Sequence, residues 1–403
     1  MRVFILLICT ALLIGCSNES ASLKTLQPKS DRPDFFKFNE FQIKQKVLYV
    51  PATPGTVKWG YLPNANDIPV ASMESGSYLV VDALSHEGIL EDQGRDPLTY
   101  FAGFGVKKKD VLNDAINIAL SNIDHDFHKD GPHVVIGPIE IKNTEPGDIL
   151  KIDIINIVPR VAYGVISNRH GKGALPGEFP LGPKPDPTVK DDFKNVSIFS
   201  QTFTKDNQVG AFIDDPSGKR ISFEAKPFMG IIGVAKDTGS SVHSVPPGKH
   251  GGNLDINELV AGSTLYIPVQ VPGAMFYTGD PHLAQGDGEV ALTALEQSLR
   301  ALFRINVIKK GSDSVLARMA IESPFAETEE YWIPIGLNED LDIAMKNSVR
   351  QGINFLSLQY GIQKQTALAY MSAATTFEVS QVVDKTKGIH GLIRKRDFIF
   401  PND

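Results

Sequence analysis

Cysteine is nearly absent: the 403 residues contain two, Cys9 and Cys16, both within the first 16 positions. The rest of the chain therefore holds no disulfide, no thiol nucleophile and no thiolate ligand for a metal. Positive charge is not in excess either. Forty Lys and Arg stand against 47 Asp and Glu, a formal charge of -7. A chain of this balance lacks the basic footprint that a phosphate backbone demands, which argues against a nucleic-acid partner. A Gly-x-Ser-x-Gly elbow is missing, and so is the Gly/Ser-rich tract that accompanies a Ser-Ser-Lys nucleophile. What remains for chemistry is histidine and carboxylate, which suit a metal-activated water with a carboxylate as general base.

With 42% hydrophobic and 22% charged residues the chain is expected to bury a sizeable core. Arg2 precedes an apolar run from Val3 to Gly15, shorter than the roughly 20 residues that span a bilayer. The run ends Leu13-Ile14-Gly15-Cys16, which resembles the lipobox of bacterial lipoproteins. That implies a signal peptide over residues 1–15, lipid attachment at Cys16 and a tether over 16–38. Ser17 after the cysteine suits the outer membrane, facing the periplasm.

From residue 39 to 310 the chain reads as β-rich. Glu145-Pro146-Gly147-Asp148 is a turn, and Leu150, Ile152 and Ile154 then alternate with Lys151 and Asp153. Ser77–Leu84, His133–Ile141 and Ser263–Val271 read as further strands, 167–192 as a long loop, and Asp214–Lys219 as a hairpin turn. Leu292, Leu295, Leu299 and Leu302 follow three- and four-residue steps, which predicts a helix with Glu289 at its N-terminus. The 311–403 region is expected to be helical and packed on the body. Met345, Val349, Ile353, Leu356 and Tyr360 would form one helix face, closed by a Gly361 cap.

Four segments join reactive side chains to glycine-rich bends: Asp82–Gly88, His133–Glu140, Pro246–Asp255 and Gly279–Glu289. In the last, Asp280, His282, Gln285, Asp287 and Glu289 crowd into eleven residues, and Asp-x-His is a spacing that can hold one ion. His250 is expected to be exposed by its flanking glycines. A calcium-type loop built from the same carboxylates is an alternative, although imidazole is a poor ligand for so hard an ion.

Together these stretches resemble the acetamidase/formamidase family. The matching segments are Ser85–Pro97, His133–Pro138, Glu145–Asp148, Pro227–Val234, His250–Asp255, Gly279–Glu289, Phe377–Asp384 and Lys387–His390. The resemblance implies an α+β, predominantly β sandwich body that hydrolyses small amides such as formamide or acetamide, or a lactam, to a carboxylate and ammonia or amine. It also implies zinc as the divalent metal, and a homo-oligomer. On that reading Asp280, His282, His133 and Asp82 are expected as metal ligands and Glu289 as general base. His250 and Asn253 would position the carbonyl or oxyanion, with Gln285 and Phe276 against the substrate. The alternative is a membrane-anchored lipoprotein that captures an amide or glycan without turning it over.

Overall fold

The structure is a computed structural model that describes residues 47–205 and 208–398. The expected signal peptide, Cys16 and the tether lie outside these residues. Two large sheets build the body. One has nine strands in the spatial order Val47–Val50, Tyr78–Ala83, Leu299–Ile308, Ile149–Pro159, Thr264–Pro268, Phe325–Glu327, Tyr331–Asn338, Lys387–Arg394, Thr376–Gln381. The other has eleven. Its spine runs Val196–Lys205, Tyr163–Asn168, Leu295–Glu296, Phe276–Ala284, Phe228–Val234, Gly251–Asn253, and Val134–Ile141 also pairs with Phe276–Ala284. All pairs are antiparallel except Val47–Val50 with Tyr78–Ala83, and Ala71–Met73 with Val134–Ile141. The chain is thus α+β and predominantly β.

The alternation in Ile149–Pro159 does what it predicts. Leu150, Ile152 and Ile154 are buried in the core shared by both sheets, while Lys151 and Asp153 are only half-buried. Phe276 from one sheet meets Phe303 from the other with ring centroids 5.9 Å apart. Burying such a ring is worth about 1.5–3 kcal/mol. Phe276 is therefore a core residue and not, as expected, part of a substrate wall.

The helix expected after Glu289 is not formed. Leu295–Glu296 and Leu299–Ile308 are strands of different sheets, separated by Gln297 and Ser298. The leucine steps of three and four arise because both strands are buried on both faces, so their apolar runs carry no period-two signal.

The region expected to be helical is mixed over its described residues, 311–398. Helices Val315–Met319, Leu341–Tyr360 and Lys364–Ala374 alternate with four strands that complete the nine-stranded sheet. Helix Leu341–Tyr360 begins at Asp340, which accepts from Ile343 N, and ends at Gly361 with φ +67°. Its most buried face is Ala344, Ser348, Gln351, Gly352, Phe355 and Leu356, whereas Met345 faces outward. Small residues sit there because helix and sheet meet backbone to backbone. A side chain on Gly336 would lie 1.9 Å from Ala344 O, and Ser348 Oγ donates to Pro334 O at 2.9 Å.

Candidate active site

Strand Phe276–Ala284 presents Asp280 and His282 on the same face, because side chains two apart point the same way. Glu296 stands directly across from His282 in the paired strand. His133 enters just before strand Val134–Ile141, and His86 follows strand Tyr78–Ala83 of the other sheet. Asp255 follows strand Gly251–Asn253, Glu289 lies in the loop after Phe276–Ala284, and Asp384 follows strand Thr376–Gln381. Eight reactive side chains therefore converge from segments scattered over 300 residues of chain, roughly, at one end of the sandwich.

The imidazoles aim at the carboxylates. His86 Nδ1 is 3.6 Å from Asp280 Oδ1, His133 Nε2 is 3.6 Å from Asp280 Oδ2, and His282 Nε2 is 3.1 Å from both Asp280 Oδ2 and Glu296 Oε1. Their other nitrogens are held from behind. His133 Nδ1 meets Ser244 Oγ at 2.8 Å and His282 Nδ1 meets Gln285 Oε1 at 2.9 Å. Gln285 in turn donates to Asp255 O and Ser380 O. Glu87, anchored by Arg169 and Ser167, backs His86 at 3.3 Å. This is how metal-ligating imidazoles are oriented by a second layer of partners.

Two observations test whether a cation fits. Donor atoms about 2.0–2.2 Å from a tetrahedral ion stand about 3.3–3.6 Å apart, close to the separations above. Moreover, His86 Nδ1, His282 Nε2, Asp280 Oδ1 and Glu296 Oε2 are buried without a hydrogen-bond partner. Leaving so many polar atoms unpaired would cost about 1–3 kcal/mol each, so a missing common partner is the economical account. The groups fit a divalent cation. His86, His133 and Asp280 would hold it on the cavity side, with Glu296 beside them and His282 behind.

Burial opposes the charge on each acid, and the neighbours then divide them. Burial acts against Asp280, but His133 and His282 hold it well below the usual carboxylate range. Burial and Asp384 push Glu289 well above it, burial and Glu289 do the same to Asp255, and burial raises Asp384 to about 7. Burial pushes His133 down to about 3, keeping it a neutral donor. The backbone is strained here too: Asp255, Asp280 and Glu289 have φ of +49°, +53° and +48°. Such left-handed non-glycine residues gather at functional sites, where the surrounding fold overrides their cost. Gly230 leaves the space they need. A Cβ there would lie 2.4 Å from Asp255 Oδ1 and 2.8 Å from Asp280 Oδ2.

The cluster floors a cavity of about 550 Å³ whose wall includes His86, His133, Asn253, Asp280, Glu289 and Glu296. Asn253 Oδ1 is buried there without a partner. Other expectations are corrected by the fold. Asp82 is not a ligand: Arg300 donates to it at 2.5 and 2.7 Å, and Arg160 and Tyr49 are close by. His250 is 4% exposed, stands behind the cavity wall, and is pushed down to about 4 by burial. Gln285 positions His282 instead of touching a substrate. Asp287 bonds Asn257 outside the cluster, so the calcium-type loop does not assemble.

Comparison with known proteins bears directly on this arrangement. The model of the "Acetamidase/Formamidase family" matches residues 233–393, a span that includes Asn253, Asp255, Asp280, His282, Glu289, Glu296 and Asp384. A formamidase of Methylophilus methylotrophus is 25% identical over 346 residues, covering 73% of this chain and 81% of the relative. The chain is thus similar to the acetamidase/formamidase family over the stretch that carries most of the site. A putative formamidase of Schizosaccharomyces pombe is also 25% identical, over 301 residues that cover 64% of this chain and 65% of the relative, just under two thirds. Among solved structures, an acetamidase from Bacillus halodurans superposes with a TM-score of 0.64 at 22% identity, covering 87% of this chain and 98% of that one. One from Yersinia enterocolitica gives 0.66 at 21%, covering 89% and 94%. At those identities the likeness speaks for the family's fold. Within the site, Asp280, His282, His133, Glu289 and Asn253 were expected and come together. His86, Glu296, Asp255 and Asp384 were not, although His86, Asp255 and Asp384 lie in segments that carry the family resemblance.

Proposed function

We propose that the chain hydrolyses the C–N bond of an amide, R–CO–NH2 plus water giving R–COO⁻ and NH4⁺, with a divalent metal, zinc by preference, held in the His86/His133/Asp280 nest. The convergence of His86, His133, Asp280 and Glu296 on one cavity, with His282 behind them and Glu289 beside them, carries this reading. The donor set of nitrogen and oxygen is the kind zinc takes. When bound, such a cation supplies Lewis-acid polarisation of the carbonyl and makes water at the site a stronger acid. The chain does the rest. Asn253, in the cavity wall, orients the carbonyl through its amide. Glu289 accepts the proton of the attacking water as the C–O bond forms. Its raised proton affinity then lets it return that proton to the departing nitrogen as the C–N bond breaks. His282, Gln285 and Glu87 hold the imidazoles and keep the nest rigid.

Ammonia release from formamide and acetamide, measured before chelation, after it, and in His133→Ala, tests the reading. Activity that survives both treatments would remove the metal, and absence of activity in zinc-loaded protein would remove the reaction. Residues 2–16 alone support export and lipid anchoring at Cys16. Loss of membrane association in Cys16→Ala is the expected outcome. Assembly into a homo-oligomer is supported by the family resemblance, and light scattering of the soluble chain tests it.

A further inference from the structure

The cavity is larger than formamide or acetamide needs. About 550 Å³ lies within the roughly 300–1,000 Å³ that accommodates drug-sized ligands, and is about eighteen times the 30 Å³ share of one water. Its charge is also divided. Around the acidic cluster the lining carries Lys129, Arg169, Lys172, His243 and Lys385, with Asp130 the one acid among them. Some of these are already neutralised by the protein. Arg169 pairs with Asp92 at 2.8 Å and Glu87 at 3.2 Å, and Lys129 pairs with Asp126 at 2.6 Å. Lys172 and Lys385 pair with no carboxylate among the described residues.

Both amines line the same cavity. Burial first and then Arg169 hold Lys172 below the ordinary lysine value, against the pull of the Asp92 carboxylate. Lys172 packs over the Phe127 ring at 5.9 Å, which keeps it in the cavity wall. Lys385 sits one residue beyond Asp384, so a single step of chain leads from the acidic cluster to the cationic lining. Its φ is +65°, and Thr386 N donates back to Asp384 O across it at 2.7 Å, the rare and strained sense of a γ-turn. Lys385 and Lys172 thus stand exposed on the wall of the same cavity, each with ammonium donors left for an anionic ligand.

We propose that the amide hydrolysed here bears a carboxylate remote from its amide group, as in the half-amide of a dicarboxylic acid, and that Lys172 and Lys385 bind that carboxylate. The substrate spans the cavity, its amide on the acidic cluster and its anion at the two lysines. This rests on the amide-hydrolase reading above and narrows its substrate class.

The test compares zinc-loaded protein acting on succinamate and on 4-methylpentanamide, a neutral isostere with methyl groups in place of the carboxylate oxygens. The expected ratio of kcat/KM favours succinamate by about 10–100-fold, the range of a hydrogen bond to a charged group. In Lys172→Met/Lys385→Met that ratio falls towards one, while Lys385→Arg keeps it. Equal kcat/KM for the two amides in the unaltered protein would overturn the proposal, as would an unchanged ratio in the double variant. Calorimetric binding of succinate separates the two readings. Lysine-dependent succinate binding without turnover of any amide sinks the hydrolase reading and leaves the anion site standing. Turnover of amides with succinate binding indifferent to both lysines does the reverse.

Discussion

Gly230→Ala isolates the geometry of the candidate metal nest from its chemistry, because it removes no ligand. The backbone of Gly230 is not in the left-handed region, so alanine meets no conformational penalty there. Its methyl would meet Asp255 Oδ1 at 2.4 Å, Asp280 Oδ2 at 2.8 Å and His282 Cε1 at 2.8 Å. Ordinary contacts begin near 3.5 Å, so these neighbours must retreat by roughly 0.5–1 Å. None is a loose side-chain end: all three are at most 3% exposed, and His282 is pinned by Gln285. Overpacking of this kind costs about 1–3 kcal/mol of stability. A shift near 1 Å at a reacting centre costs about 100-fold in rate. We therefore expect a modest fall in Tm with native circular dichroism, zinc content reduced by plasma emission spectroscopy, and kcat/KM for acetamide down by about two orders of magnitude. Gly352→Ala is the control, since its methyl meets the end of Met371 at 2.7 Å and Ile393 Cδ1 at 3.3 Å, away from the nest. Gly230→Ala protein with unaltered zinc content and kcat/KM would refute the idea that these three groups share one tightly spaced centre.

Glu289→Gln should lower kcat for acetamide by about 10²–10⁴-fold with zinc content retained, measured by ammonia release; a rate within threefold, roughly, would assign the proton transfer elsewhere. Gln285→Leu frees His282 Nδ1 and should weaken metal affinity or activity by about 10–100-fold in a chelator competition, although Gln285 does not line the cavity. Asp82→Ala should cost about 3–5 kcal/mol by stranding Arg300, while zinc content stays the same, since Asp82 lies outside the nest. Burial works against the Asp82 carboxylate, but Arg160 and Arg300 hold its folded pKa below its ordinary value of 3.8. Its contribution is therefore complete above about pH 4 and is lost as pH falls through the folded value. Thermal melts from pH 7 to pH 2 should show Asp82→Asn losing less stability over the acid limb than the unaltered chain.

Much of the fold was legible because its signals are local. Leu150 to Ile154 alternates cleanly within its strand, and a turn precedes that strand at Glu145–Asp148. Gly361 caps its helix as its position predicts. Leu292 to Leu302 misled because strands buried on both faces lose the alternation that marks a strand. That error also hid Glu296, which as a strand residue stands opposite His282. Asp82 looked like a ligand because it heads the Asp82–Gly88 segment. What disqualifies it is Arg300, 218 positions away in sequence and adjacent in the sheet. Asp255 and Asp384 escaped for the same reason, since only strand pairing brings their segments beside Glu289.

The hairpin of Thr376–Gln381 and Lys387–Arg394 braces the cluster from the far end of the chain. Val379 O and Ser380 O receive Gly288 N and Gln285 Nε2, His390 ties Ser380 to Glu258, and Asp384 joins Asp255 and Glu289. During synthesis this hairpin emerges after every other piece of the centre. A nascent chain can thus lay down nearly all of both sheets and still be inert, and competence would arrive in one late step as the last strands zip into place.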